Sequence, residues 1–174
     1  MAVIFELVMN FGVERSAAEQ ARDSLATMGP VPVDERLIGL HPPFLRDAIS
    51  YAGVGYVELA VAPMGVSWGL PHDRSIERAI LNKAQLSALG DGLYKVLERL
   101  DGYQAAMVGW DPEGFVDLDE LRVDWSEELR VGGLPGLVLS SEARLALGST
   151  TGFHSFAQGF EWIPYAGEPR GNET

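Results

Sequence analysis

The chain has 174 residues, with 25 acids, 13 bases, three histidines and no cysteine, for a formal net charge of −12. That length suits one domain able to bury roughly 70% of its unfolded surface, and 47% hydrophobic residues argue against wholesale disorder. The missing cysteines exclude disulfides, thiolate catalysis and Cys-zinc sites, and the acidic balance argues against a nucleic-acid partner, which calls for clustered Lys and Arg.

The chain opens on an alternating pattern. Val3, Phe5, Leu7 and Met9 fall on one face and Ile4, Glu6, Val8 and Asn10 on the other, which predicts a strand over residues 3–10. Ala17, Ala18, Ala21, Leu25 and Met28 recur at helical spacing, so residues 14–28 read as a helix stopped by Gly29-Pro30. A short strand is expected over 35–40, ended by His41-Pro42-Pro43, and a third over 55–61. There Val57, Leu59 and Val61 share a face and Glu58 marks the other as wet. Ile80-Leu81 suggests a brief further strand. Residues 84–100 carry the strongest helical stripe, Leu86, Leu89, Leu93, Val96, Leu97 and Leu100, with Asn82 placed to cap it. Gly90 and Gly92 interrupt that helix at about 1 kcal/mol each relative to alanine, which points to a bend or a close backbone approach. A fourth strand follows over 103–110.

Strand, helix, strand, strand, helix, strand is the order of a ferredoxin-like (βαββαβ) two-layer α+β sandwich. The stripes of residues 57–61 and 86–97 are then expected to pack on each other. Residues 1–166 read as one α+β domain, with a core over 1–110 and an acidic segment and C-terminal extension over 111–166. Within the extension, 118–121 is weakly helical and 132–136 is a glycine-rich loop. Residues 137–139 form a strand, Ser140 caps a helix through 147, and 153–165 is rich in aromatics. Residues 167–174 read as a disordered tail.

Residues 111–128 hold eight acids against Arg122 alone, more than half of the net charge. With Trp110, Asp111, Glu113, Asp117, Asp119, Glu120 and Trp125, this segment is the candidate surface for a basic protein partner. The acids would steer the encounter and the indoles would anchor it. The same residues also suit a solvated loop whose tryptophans plug the edge of the core. Asp111-Pro112 and a glycine at the fourth position break the calcium-loop pattern, so no metal or cofactor is expected.

Gly65-Val66-Ser67-Trp68-Gly69 fits the G-x-S-x-G pattern of a nucleophile elbow, but Leu70-Pro71-His72 follows where the elbow needs a helix. Ser67, His72, Asp73 and His154 are the candidate residues of a small hydrolase or metal-dependent enzyme. His41, His72 and His154 lack the helical spacing of a zinc pair.

The chain begins without the basic start and cleavage site of a signal peptide, and no stretch reaches about 18 apolar residues, so a cytoplasmic location without membrane contact is expected. Eleven arginines against two lysines suggest a GC-rich bacterial genome. The leading expectation is a non-enzymatic acidic binding module resembling an inhibitor or immunity protein in size and charge. The alternatives are the small enzyme above, or a protein that self-associates through its sheet as a homodimer.

Overall fold

A computed structural model describes residues 2–69 and 74–172 of the chain. Strand β1 (Ala2–Asn10) leads into helix α1 (Arg15–Ala26), then the short strands β2 (Val31–Val33) and β3 (Arg36–Ile38). Strands β4 (Phe44–Ile49), β5 (Gly55–Val61) and β6 (Ser67–Gly69) follow, then α2 (Lys83–Leu97) and β7 (Ala105–Trp110). The last third holds a 3-10 helix (Pro112–Phe115), α3 (Leu118–Val123), α4 (Ser126–Val131), β8 (Val138–Ser140), α5 (Ser141–Leu147), β9 (His154–Ala157) and β10 (Phe160–Trp162).

The architecture is α+β around an antiparallel sheet of eight strands, in the order β4-β5-β1-β7-β8-β10-β9 with β6 added to the start of β1. This differs from the four-strand arrangement expected from the element order. The expected strand at 35–40 is not in the sheet: β3 pairs only with β2, in a separate ribbon, and β4 takes the edge beside β5. Ile80-Leu81 is not a strand. The aromatic stretch forms the β9–β10 hairpin, which extends the sheet beyond β8.

Alternation along β1 and β5 decides the two faces. Phe5, Leu7 and Met9 point with Val57, Leu59 and Val61 into one core, closed by Ala18, Ala21 and Leu25 of α1 and Leu86, Leu89, Leu93 and Leu97 of α2. Both expected stripes are buried there, although α1, not α2, lies across β5, while α2 covers β7 and β2. Asn82 caps α2 with a full capping box, its side chain accepting from Gln85 N–H (2.9 Å) and Gln85 returning the bond (3.1 Å). Gly90 and Gly92 mark close approaches: a Cβ would stand 2.4 Å from Tyr165 Oη at the first and 2.3 Å from Val31 Cγ1 at the second.

The opposite sheet face is only partly covered. Val8, Ala105 and Leu139 pack under Val116, Leu121, Leu129 and Leu134 from the 111–134 region, which folds as an ordered cap. Residues 167–172, expected to be free, lie against the start of α2. Asn172 is fully buried, accepting from Leu81 N–H (2.6 Å) and donating to Ala79 O (2.8 Å), and Glu168 N–H donates to Ser87 Oγ (2.8 Å).

Candidate functional site

The second face of β1 carries Ile4, Glu6, Val8 and Asn10. The cap covers Val8, and Asn10 donates to Val116 O (2.8 Å). Glu6 lies beyond the cover. Its neighbour across β7 is Gly109, where a Cβ would meet nothing within 4 Å, and on the β5 side stand only Ala60 and Ala62. The two alanines line a groove of about 480 Å³ above Glu6. Ile4, Pro42, Phe44 and the two alanines form its walls, and Glu6, His41, Arg46 and Glu113 supply its polar groups.

The groove holds more negative charge than its surroundings neutralise. Glu58, only 1% exposed, forms an ion pair with Arg46 and accepts a bond from Tyr56 Oη (3.3 Å). Burial pushes the Glu58 carboxyl above the usual carboxylate range, and Arg46 opposes that push. The same guanidinium comes within 3.9 Å of Glu113. Glu6, 9% exposed, has no hydrogen bond or ion pair among the described residues. Burial first, then the charges of Glu113 and Glu58, raise its pKa to about 8. Asp111 completes the cluster from a left-handed backbone position (φ 45°), its Oδ1 accepting from Ile4 N–H (2.8 Å). One carboxylate oxygen from each of Glu6, Asp111 and Glu113 lies within 4.8 Å of the others. Like charges this close disfavour full ionisation of the cluster.

Compared with protein-family models, curated proteins and solved structures, the chain matches none of them. Its function rests on the geometry.

Of the residues the sequence singles out, Asp111 and Glu113 line this cluster. Asp117 is a buried cap for α3, accepting from the backbone N–H of Tyr51, Asp119 and Glu120. Asp119 accepts from Ser50 Oγ (2.6 Å) and pairs with Arg122, and Glu120 stays half-exposed. Trp110 packs edge-on against Phe5 and Trp68, and Trp125 lies half-buried against Phe115, ring centroids 4.7 Å apart. Both indoles thus contribute to the edges of the two cores.

Ser67 is a buried residue of β6, paired with Ile4. His154 is exposed on β9, five strand steps away through β10, β8, β7 and β1, on the order of 20 Å, so the two are not brought together. Gly65, φ 76°, makes a tight turn in which a Cβ would strike Glu77 O at 2.5 Å, an ordinary structural use of the motif's first glycine. His72 and Asp73 lie outside the described residues. Sequence reasoning missed Glu6, Arg46 and Glu58 as site residues. Their signal was faint: an acid on the alternate face of each of two strands, read for Glu58 as a mark of solvent when the residue is buried.

Proposed function

We propose that the protein is a non-enzymatic binding module of the bacterial cytoplasm that captures a basic protein partner, acting as an inhibitor or immunity protein does. One observation carries this reading. The acidic segment is an ordered cap docked on the sheet, and seven of its eight acids still reach solvent, Asp117 being the exception. A charged surface held on short helices meets its partner without first paying for its own ordering, and its field raises the rate of encounter with a basic surface. The ferredoxin-like frame expected from the element order remains part of this reading: β4, β5, β1 and β7 lie side by side, with α1 and α2 against one face, and β8, β10 and β9 continue past β7.

Asp124, Glu127 and Glu128 test it best, because their side chains accept no hydrogen bond from α3 or α4 backbone. Changing them together to Asn, Gln and Gln is expected to leave the circular dichroism spectrum unchanged. The association rate with the partner purified from the native host should fall, and its salt dependence should flatten. Equal association rates for wild type and variant at low and high salt reject the reading.

A further inference from the structure

We propose that Glu6, Asp111 and Glu113 form a binding site for a hard divalent cation of the calcium, manganese or magnesium class. Two features point to a ligand. The first is the buried Glu6 carboxylate, which faces the groove with no hydrogen bond or ion pair among the described residues. That carboxyl group meets the open groove and not a protein partner, and a largely buried acid is satisfied best by a counter-charge placed against it. Arg46 does not fill that role, because it is tied to Glu58 and reaches Glu113 only at 3.9 Å. The second is the spacing. Three carboxylate oxygens within 4.8 Å of one another match the span of an ion about 2.1–2.5 Å from each.

Oxygen-only donors select hard cations over zinc or copper, which favour nitrogen and sulfur. Ile4 N–H donates to Asp111 Oδ1 and fixes that carboxylate beside the other two. Water entering through the open groove supplies the remaining positions, which suits ions that keep part of their hydration shell. Asp111 and Glu113 also belong to the acidic segment of the partner-capture reading, whereas Asp124, Glu127 and Glu128, which test that reading, are not members of the site.

The test is titration of the full chain with Mn²⁺, read by electron paramagnetic resonance of the free ion, with Ca²⁺ as competitor and without any protein partner. One saturable site is expected. Glu6→Gln should weaken Mn²⁺ by about tenfold or more, the scale on which losses around metal sites usually fall. The Asp124→Asn, Glu127→Gln pair removes two charges elsewhere and should leave the affinity unchanged. Glu113→Gln, at a half-exposed member of the cluster, should also weaken Mn²⁺ by about tenfold and covers the case in which Glu6→Gln misfolds. No saturable binding overturns the proposal, as does an equal loss in Glu6→Gln and the distant pair, which would mean only a diffuse ion atmosphere. Failure here leaves the partner-capture reading standing, and failure of partner capture leaves the metal titration unaffected.

Discussion

Asp117, 6% exposed, is surrounded by three backbone donors, so removing its carboxylate strands N–H groups from Tyr51 and the first turn of α3. Asp117→Ala should therefore destabilise the fold by roughly 1–2 kcal/mol, as the loss of a helix cap usually does. Asp124→Asn, on the exposed side of the same segment, should stay within about 0.5 kcal/mol. Urea denaturation of the two variants separates acids the fold uses from acids it only displays. Counting charges along the sequence places Asp117 among the solvated acids. Capping α3 and accepting from Tyr51 N–H in the turn after β4 make it structural. Glu58 shows the same inversion: a charge on the outward face of β5 becomes buried once Arg46 on the neighbouring edge strand pairs with it.

At the scale of elements, the locally encoded pieces are the ones the sequence discloses best. β5 is found at its expected bounds, and α2 begins one residue after its expected cap. Alternation, an apolar stripe and an Asn cap are properties of a few consecutive residues and need no partner to be read. Leu93, fully buried in the α1–α2 side of the core, should cost about 2–5 kcal/mol when cut to alanine. Chemical denaturation measures it, and a cost under about 0.5 kcal/mol would contradict the packing described. β4 is harder to read. Its sequence Phe-Leu-Arg-Asp-Ala-Ile alternates poorly because it lies on the sheet edge with both sides partly open to solvent. β6, β9 and β10, three or four residues each, are too short to show a period at all.

Across the whole molecule, the last described residues tie the C-terminal end to α2. Tyr165 Oη donates to Glu168 (2.6 Å), Ser87 Oγ receives the Glu168 N–H, and Arg170 lies over the Trp68 ring at 4.5 Å. Burial raises the Glu168 pKa above its ordinary value, with the Tyr165 hydrogen bond opposing. The folded state then binds this proton more tightly than the unfolded chain. The stabilisation is complete below the ordinary carboxylate range and is lost as pH rises through the raised folded-state value. Glu168→Gln keeps an acceptor for Tyr165 and cannot ionise. Its Tm relative to wild type should therefore climb as pH rises from 4 to 8. A difference independent of pH would show that Glu168 does not titrate differently on folding.

By itself the sequence determined the class of the protein and its strongest elements: an α+β chain with an amphipathic first strand, a capped leucine-striped helix and a concentrated acidic segment. These follow from interactions between residues a few positions apart. The groove could not be foreseen in that way. Glu6, Asp111 and Glu113 come from the middle of β1 and from just beyond β7, Gly109 faces Glu6 across the strand pair, and the groove above Glu6 is walled in part by the small residues Ala60 and Ala62. No local pattern marks a glycine as the neighbour of a glutamate more than a hundred residues earlier. Register across three strands decides it, together with a cap that stops after covering Val8 and leaves Glu6 facing the opening.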